Sequence, residues 1–394
     1  MIKSIKDVNF SGKWILMRVD FNVEFNKDGQ ILDTFRIDSL EATFDYILNN
    51  GGKLILISHL GDPKSVSEEF SLKRLSYYFE DHFKKYKFKF LGDVLEPNLL
   101  ASIDKLQDKE IGFLENLRFH KEEKLNDDDF AQKLASLGDL YVNEALSVSH
   151  RPHASVSAIT KYLPSYSGLL FDKEMKILSE SMLLNRKPLT VIFGGKKISS
   201  KFHFIKYFLG VADNVILGGG LANTFLEARR LNVGDSIIDD DFIDETIEES
   251  LLYNTKIHLP VDVLVVKKAN PLEVSCKLVE GIEDGENIYD IGPKTIELFS
   301  EIIDESGQII WNGPMGFLED ARFAKGSLGV AKAIEYSPAY SIISGGETAM
   351  SLHQSGLSGK ISYISGGGAT LEFLSGKKLP GIVALEDSKL NNNE

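Results

Sequence analysis

The chain has 394 residues, of which 43% are hydrophobic and 26% are charged, and its formal net charge is −14. This composition excludes a disordered chain, and the acidic balance argues against a protein that binds DNA or another polyanion. The chain has no run of about 18 apolar residues, so we expect no membrane-spanning helix.

Two features of the sequence indicate in which cellular compartment the protein is expected. The N-terminus, MIKSIKDVNF, lacks the apolar core and cleavage site of a signal peptide, so we expect none. The one cysteine, Cys276, excludes an intramolecular disulfide framework and is typical of a reducing cytoplasm.

Short β-branched apolar runs alternate with amphipathic stretches along the first half of the chain. The runs KWILMRVD, KLILISHL and DLYVNE predict buried strands. The stretches SLKRLSYYFEDHFKKY and DDDFAQKLASLGDLY between them predict helices. This alternation predicts a parallel sheet with helices on both faces.

Polar side chains, many of them basic, gather at the ends of these strands and in the segments between them. They are Arg18, Asp20, Asn22, Arg36, His59, Arg118, His120, His150, Arg151 and His153. Arginine is suited to bidentate contact with carboxylate or phosphate, so the group predicts a small anionic ligand. For each arginine alone, a surface ion pair is the alternative. The histidines lack metal-ligand spacing, so we predict no zinc site.

A long helical pattern, FDKEMKILSESMLLNR, spans residues 171–186 and precedes Lys187–Pro188 and another strong strand. We interpret it as a connector between two α/β domains, because this chain exceeds the length that one core usually supports. The alternative is one more crossover helix in a single large sheet.

The second half repeats one pattern five times, in which an apolar run ends in a glycine cluster. The runs are LTVIFGG, NVILGGG, QIIWNGP, YSIISGG and ISYISGGG, while DVLVVKK predicts a further strand without glycines. Glycine lets backbone N–H groups approach an anion closely, and the following helix would present its positive end there. The clusters therefore predict an anion or nucleotide site, although tight strand–helix turns are the alternative for each one. The sequence contains neither a P-loop nor a G-x-G-x-x-G motif.

Three charged residues lie beside these glycine clusters. Lys197 and Lys201 would share one helix face and suit phosphate oxygens, although a solvated basic face is the alternative. Glu347 could hold Mg²⁺, or it could simply be a carboxylate at a helix N-terminus. The residues alone thus predict a two-domain enzyme in which one domain binds a small anion and the other a phosphorylated nucleotide.

Eight motifs in order along the chain resemble the phosphoglycerate kinase family. They are RVDFNV at 18–23, SHLG at 58–61, ENLRFH at 115–120, HRPHAS at 150–155, DIGPKTIELF at 290–299, WNGPMG at 311–316, FAKG at 323–326 and SGGGATLEFLSGKKLPG at 365–381.

The resemblance implies an α/β fold of two Rossmann-like parallel-sheet domains, joined by a helix and separated by an open cleft. We expect a glycerate-binding domain at 1–168 with the tail 378–394 packing back on it, a connecting helix at 171–186, and a nucleotide-binding domain at 187–377. The implied reaction is reversible phosphoryl transfer between 1,3-bisphosphoglycerate and ADP, giving 3-phosphoglycerate and Mg-ATP in glycolysis. A monomer is the family expectation, while the composition, the acidic charge and the single cysteine predict a cytoplasmic protein with no nucleic-acid or membrane partner.

The family pattern implies roles for individual residues. The glycerate ligand would be held by Asp20, Asn22, Arg36, His59, Arg118 and Arg151. The nucleotide would be held by Lys197, Lys201, Glu319, Gly345, Gly346, Glu347 and Thr348, with Glu347 as the metal ligand. Charge on the moving phosphoryl group would be neutralised by Arg36, Lys197, Mg²⁺ and the amides near Gly346 and Gly367.

The chain departs from the family pattern at several positions. Asp62 stands where the family usually has an arginine, and Glu347 replaces the metal-binding aspartate. The segment Asn143–Ser147 reads N-E-A-L-S where the family has N-D-A-F-G. The segment Gly194–Ile198 reads G-G-K-K-I where the family has G-G-A-K-V, and Glu24 replaces a proline.

We expect Asp62 to weaken glycerate binding, unless it points away and Lys64 reaches the substrate phosphate instead. A non-catalytic nucleotide-binding homologue with a regulatory or interaction role is the alternative to an active kinase. A two-domain sugar-binding protein fits less well, because it explains neither the anion-binding turns nor the lack of a signal peptide.

Overall fold

The computed structural model describes residues 2–32, 34–196, 198–243, 249–346, 348 and 361–388. Its internal contacts divide the chain into two units. The first comprises Met1–Leu178 with Gly376–Glu394, and the second comprises Ser179–Ser375. No helix in the described ranges is long and apolar enough to cross a membrane.

A six-stranded parallel sheet forms the centre of the first unit. Its strands are β1 (Trp14–Arg18), β2 (Lys53–Ile57), β3 (Lys87–Phe90), β4 (Glu110–Phe113), β5 (Leu140–Asn143) and β6 (Ser165–Ser167), in the order β3-β4-β2-β1-β5-β6. The predicted strands β1, β2 and β5 are confirmed, and they hold the middle of the sheet because they are apolar and buried.

Short helices connect these strands. They are α1 (Phe35–Asp38), α2 (Glu41–Asn49), α3 (Ser76–His82), α4 (Leu99–Ile103), α5 (Lys121–Lys124) and α6 (Asp128–Ala135). The two predicted helical stretches contain α3 and α6. On one face of the sheet the core is rich in aromatic rings: Phe44, Phe79, Phe83, Phe88 and Phe113 are all buried in one cluster. Rings in edge-to-face and stacked pairs stabilise such a core beyond the area that they bury.

The longest helix, α7 (Leu169–Leu184), occupies most of the predicted stretch 171–186. The division between the two units falls within it, between Leu178 and Ser179. Its first turn is capped by Glu144 at the end of β5, whose carboxylate accepts from the amides of Leu170 and Phe171 at 2.9 Å each. The helix is thereby attached to the same sheet edge as the basic residues of the first unit.

The second unit contains another six-stranded parallel sheet. Its strands are β7 (Leu189–Phe193), β8 (Asn214–Leu217), β9 (Ile257–His258), β13 (Gln308–Asn312), β14 (Tyr340–Ser344) and β15 (Ile361–Ile364), in the order β15-β14-β13-β7-β8-β9. Its helices are α8 (Phe202–Val211), α9 (Gly219–Ala228), α10 (Asp240–Ile243), α11 (Glu249–Leu252), α12 (Pro293–Asp304), α13 (Lys325–Tyr336) and α14 (Gly367–Leu374). All five glycine-ended runs therefore belong to one parallel sheet, as predicted.

A three-stranded antiparallel sheet was not predicted. It consists of β10 (Asp262–Lys267), β11 (Asn270–Leu278) and β12 (Glu286–Ile291), with β10 in the centre. The run DVLVVKK is the strand β10, so its prediction as a strand is confirmed, but its expected place in a parallel sheet is wrong. Its connection to β11 is too short for the crossover that a parallel pair requires.

The last described helix, α15 (Pro380–Glu386), belongs to the first unit. The amide of Gly381 donates to the carbonyl of Ser149 at 2.8 Å. A Cβ at position 381 would lie 2.8 Å from both Ser149 Cβ and Val156 Cγ1, so only glycine fits this close approach. Residues 389–394 of the predicted tail lie outside the described residues.

Candidate active site

The carboxyl ends of four adjacent strands, β4, β2, β1 and β5, gather the polar residues of the first unit. His59 follows β2, Asp20 and Asn22 follow β1, and Arg118 lies in a 3-10 helix after β4. Because parallel strands all end at one sheet edge, segments that are distant in sequence meet there.

Asp20 and Arg36 form a partly buried ion pair at this edge. Arg36 donates from one terminal nitrogen to Asp20 Oδ2 at 2.8 Å and to the carbonyl of Asn22 at 3.1 Å. Ser147 Oγ also donates to Asp20 Oδ2, at 2.5 Å, and the amide of Asn22 donates to Oδ1 at 3.0 Å. Burial by itself would raise the pKa of Asp20, but the Arg36 charge and these donors hold that pKa well below its usual range.

The loop after β2 connects Asn22 to Arg118. The amide of Gly61 donates to Asn22 Oδ1 at 2.7 Å, and Arg118 donates to the carbonyl of Gly61 at 2.6 Å. Gly61 has φ +61°, and a Cβ there would overlap the ring of Phe70. Glycine is therefore required at this turn, which holds two predicted ligand residues in fixed positions.

Arg118 has the character of an anion-binding side chain. It is buried, and its pKa is lowered to about 10, first by burial and then by the charges of Arg18 and Arg151. No described group accepts a hydrogen bond from its buried Nε. A buried donor without an acceptor, close to other guanidinium groups, indicates a place for an anion.

Asp62 and Arg151 lie on the exposed side of this cluster. Asp62 accepts from Lys124 Nζ at 2.8 Å and 3.0 Å. The Lys124 bond is the main cause of a lowered pKa of Asp62, to which the charges of Arg118 and Arg151 also contribute. Asp62 thus adds negative charge beside two predicted anion ligands, whereas Lys64 is exposed. Arg151 Nε lies 3.2 Å from His150 Nε2.

Sequence reasoning missed a buried chain of hydrogen bonds behind the cluster. Arg18, at the end of β1, donates through Nε to Ser155 Oγ at 2.9 Å, and Ser155 Oγ donates to Glu123 Oε1 at 2.6 Å. Arg18 and Glu123 are fully buried. A charged residue inside the apolar strand WILMR was the available signal for Arg18, whereas Glu123, in the charged stretch KEEK, gave none.

In the second unit the glycine clusters lie at the carboxyl ends of neighbouring strands. The amide of Gly194 donates to the carbonyl of Asn312 at 2.9 Å, and the amide of Gly195 donates to that of Pro314 at 2.9 Å. These bonds tie the turn after β7 to the turn after β13, and a Cβ at Gly194 would overlap the Pro314 carbonyl.

Lys201 lies at the end of α8 that faces these turns. Its Nζ donates to the carbonyl of Gly194 at 2.7 Å and to that of Asn312 at 3.2 Å. The ammonium group is therefore fixed between the turns after β7 and β13. Lys197, the other predicted lysine, lies outside the described residues.

Gly345 and Gly367 meet beside Asn312. The side-chain amide of Asn312 donates from Nδ2 to the carbonyl and to the hydroxyl of Ser344, at 3.1 Å each. A Cβ at Gly367 would lie 2.8 Å from Asn312 Nδ2 and 3.2 Å from Gly345 Cα, and Gly345 has φ +102°. The ends of three strands, β13, β14 and β15, thus lie close together with no room for a side chain at Gly367.

The remaining predicted residues of the second unit differ in exposure. Gly346 and Thr348 are buried next to Gly345, and Glu347 lies outside the described residues. Glu319 is about half exposed and lies 3.8 Å from Lys196 Nζ. The described residues contain no group of three or more His, Cys, Asp or Glu that could hold a metal. Mg²⁺ bound to nucleotide phosphates needs only one or two protein carboxylates, so a site shared with a nucleotide requires no such group.

Comparisons with known proteins give one consistent result. The family model for phosphoglycerate kinase matches residues 5–377. A phosphoglycerate kinase of Finegoldia magna is 41% identical over 394 residues, covering 98% of this chain and 99% of that protein. One of Dictyoglomus turgidum is 40% identical and covers 98% of each chain.

Two solved structures agree with these relatives. The crystal structure of phosphoglycerate kinase from Pyrococcus horikoshii superposes with a TM-score of 0.87 at 29% identity, covering 99% of this chain and 100% of that one. The structure of phosphoglycerate kinase from Coxiella burnetii gives a TM-score of 0.74 at 31% identity, covering 98% and 99%.

Proposed function

Since the chain belongs to the phosphoglycerate kinase family, we propose that it transfers a phosphoryl group reversibly between 1,3-bisphosphoglycerate and ADP. The products are 3-phosphoglycerate and Mg-ATP, and the reaction belongs to glycolysis. The observation that carries this proposal is the arginine cluster of the first unit, in which buried Arg118 Nε has no described acceptor. A small ligand with phosphate and carboxylate groups supplies such acceptors.

The first unit is proposed as the glycerate-binding domain, over residues 1–168 with the tail 378–394. Its ligand residues are Asp20, Asn22, Arg36, His59, Arg118 and Arg151. The hydrogen bonds through Asn22 and Gly61 support this proposal, because they hold donors from three strand ends in one place.

The second unit is proposed as the nucleotide-binding domain, over residues 187–377. Its ligand residues are Lys197, Lys201, Glu319, Gly345, Gly346, Glu347 and Thr348. The glycine turns after β13, β14 and β15 support this proposal, because they meet beside Asn312 without room for a side chain at Gly367, and such turns let phosphate oxygens approach the backbone closely.

The residue types fit the chemistry of this reaction. The nucleophile is already an anionic oxygen, on ADP or on the glycerate carboxylate, so no general base is needed. Catalysis then consists of positioning the ligands and neutralising charge on the transferring group. Arg36, Lys197 and the amides near Gly346 and Gly367 are proposed for that task. Glu347, together with the nucleotide phosphates, would hold Mg²⁺, which would supply further positive charge when bound.

A non-catalytic nucleotide-binding protein is less well supported. Such a protein has no chemical need for the arginine cluster of the first unit, in which Arg18, Arg36 and Arg118 are held by specific hydrogen bonds. The one cysteine and the glycolytic reaction support a cytoplasmic enzyme, and the family resemblance supports a monomer.

A coupled assay tests the proposal. The purified protein is mixed with 3-phosphoglycerate, ATP and Mg²⁺. A coupling dehydrogenase then reduces the 1,3-bisphosphoglycerate that is formed, and the oxidation of NADH is measured. We expect saturable turnover that requires all three components. The absence of turnover above that of the Arg36→Ala variant would overturn the proposal.

A further inference from the structure

The position of one proton follows from the contact between His59 and Arg18. The terminal nitrogen Nη2 of Arg18 lies 3.0 Å from His59 Nδ1, and both side chains are buried. A guanidinium group has only N–H donors, so the imidazole nitrogen that faces it must be the acceptor. Nδ1 is therefore unprotonated, and the proton of the neutral ring is on Nε2.

We propose that Arg18 is a positioning residue that holds His59 as the neutral Nε2–H tautomer, so that His59 acts on the anionic ligand as a hydrogen-bond donor. In this role His59 is neither a cation nor a base. The tautomer follows from the contact itself, whereas the action on the ligand rests on the proposed glycerate site.

The other hydrogen bonds of the Arg18 guanidinium hold it in one orientation, and each of them has a defined donor and acceptor. Its Nε donates to Ser155 Oγ, whose own proton goes to Glu123 Oε1 at 2.6 Å. The second Glu123 oxygen accepts from the amide of Ser155 at 2.9 Å. A further Arg18 nitrogen donates to the carbonyl of Val19. The chain Glu123–Ser155–Arg18–His59 thus has one consistent set of donors and acceptors.

The charges around His59 favour the same neutral form. Burial is the largest influence, and the guanidinium groups of Arg18, Arg118 and Arg36 add to it, while the Asp20 carboxylate opposes it. Together these groups hold the pKa of His59 well below its usual range. His59 therefore keeps its state across neutral pH, which suits a donor that must be present throughout the reaction.

The tautomer can be tested without substrate. In protein labelled with ¹⁵N-histidine, long-range proton–nitrogen spectra distinguish the two neutral tautomers and the imidazolium form, and loss of signals in His59→Asn assigns the His59 ring. We expect the Nε2–H pattern, unchanged between about pH 6 and about pH 8. A protonated Nδ1, or a titration in this range, would overturn the proposal even if the enzyme is active.

The donor role is tested by two substitutions. In His59→Gln the side-chain amide nitrogen reaches the place of Nε2, whereas in His59→Asn the shorter side chain brings it only to the place of Nδ1. We expect His59→Asn to raise the KM for 3-phosphoglycerate by roughly 10- to 100-fold, the effect of losing a hydrogen bond to a charged group. His59→Gln should recover most of this loss, and equal losses in both variants would contradict a donor role.

The role of Arg18 is tested by Arg18→Met, which keeps most of the length of the side chain but removes its donors. His59 should then titrate at a higher pH, and the pH profile of the KM for 3-phosphoglycerate should gain a step that the wild type lacks. If Arg18→Met does not fold, Arg18→Gln provides the test, because its amide nitrogen stands at the place of Nε and can still donate to Ser155, whereas no donor reaches the place of the nitrogen that faces His59. Unchanged His59 spectra in a folded variant would show that Arg18 does not set the tautomer.

Discussion

At the scale of single residues, Arg36 and Asp20 depend on each other. The Arg36 guanidinium bonds Asp20 Oδ2 at 2.8 Å and lowers the pKa of a buried carboxyl group. Arg36 therefore has a structural role in addition to its proposed catalytic one. A simple truncation will affect both, so the experiment must separate turnover from stability.

Arg36→Ala is expected to lower turnover by on the order of 10³-fold, because an arginine that neutralises a transferring phosphoryl group has an effect of this size. It should also lower the free energy of unfolding by about 1–3 kcal/mol, because Asp20 loses its counter-charge but keeps the bonds from Ser147 and Asn22. Steady-state kinetics and urea unfolding on the same preparations measure the two effects.

The double variant Arg36→Ala with Asp20→Asn serves as the control for stability. It should regain unfolding free energy, since no buried charge is left alone, but it should not regain turnover. An Arg36→Ala enzyme that keeps more than about a tenth of the wild-type rate would contradict the catalytic assignment.

Asp62→Arg should lower the KM for 3-phosphoglycerate by about fivefold. In the wild type Asp62 pairs with Lys124 beside Arg118 and Arg151. Replacing its negative charge by a positive one also releases Lys124 from this ion pair. Such a change near an anion is worth roughly 1 kcal/mol at an effective dielectric constant near 20, and salt should reduce it. The KM for ATP should change little.

Asp128→Arg is the matched control for this prediction. It breaks another exposed pair of the first unit, with Lys161 at 2.7 Å, and changes the net charge equally. If instead Lys64 contacts the substrate phosphate, Lys64→Ala will raise the same KM and Asp62→Arg will do nothing. If neither variant changes that KM, the loop at 59–64 does not contact the substrate phosphate.

At the scale of secondary structure elements, the start of α7 depends on one buried carboxylate. Burial raises the pKa of Glu144 to about 7, even though Thr43 and the amides of Leu170 and Phe171 bond the ionised form. In the unfolded chain the group ionises near its ordinary pKa of 4.5. Between these two pH values the folded state binds more protons than the unfolded state. Ionisation of Glu144 therefore lowers the free energy of unfolding as the pH rises.

Glu144→Gln is expected to reveal this dependence. The variant should be less stable than the wild type near pH 5, because an amide cannot accept all three bonds, and the difference should shrink by up to about 3 kcal/mol near pH 8. Calorimetry of both proteins measures it. Asp290 has a pKa raised in the same direction, so the comparison must be between the two proteins and not along one curve. A constant difference would contradict the role given to Glu144.

The glycine turns of the second unit provide another test at this scale. Gly367→Ala would place a Cβ 2.8 Å from Asn312 Nδ2, so the turn must shift. We expect the KM for Mg-ATP to rise on the order of 10-fold, equal to about 1.4 kcal/mol, with little change in the KM for 3-phosphoglycerate. In the control Gly210→Ala, within α8, the new Cβ has no described atom within 4 Å apart from its chain neighbours and the adjoining backbone of its own helix. Equal effects of the two variants on the KM for Mg-ATP would contradict the assignment of the turn.

The sequence predicted the elements that carry long apolar runs and missed those that do not. β3 is a four-residue strand, KFKF, at the edge of its sheet, and β6 has only the three residues SYS, so neither shows a long apolar run. The antiparallel sheet of β10–β12 was missed because strand and helix alternation says nothing about which strands pair.

At the candidate site the sequence identified residue types but not their connections. Glycine clusters and arginines are visible in the sequence because their chemistry is specific. The bond from Ser155 to Glu123 joins residues 32 positions apart, and the bond from Arg18 to Ser155 joins residues 137 apart. Such pairs are set by the packing of the sheet and leave no periodic signal in the sequence.

At the scale of the whole molecule, each proposed ligand site is built within its own unit. The arginine cluster lies entirely in Met1–Leu178, and the glycine turns lie entirely in Ser179–Ser375. The central claim is therefore that one unit binds the glycerate ligand and the other binds the nucleotide. Substitutions in one unit should then leave binding of the other unit's ligand intact.

Calorimetric titration of each ligand alone into Arg151→Ala and Lys201→Ala tests this claim most directly. Arg151→Ala should weaken binding of 3-phosphoglycerate about 10-fold or more and spare that of Mg-ADP, while Lys201→Ala should do the reverse. The matched controls are Lys161→Ala, at an exposed lysine of the first unit, and Lys206→Ala, on the helix α8 that begins directly after the lysine under test. Both controls should bind each ligand as the wild type does. Equal weakening of both ligands in both test variants would contradict a site divided between the two units.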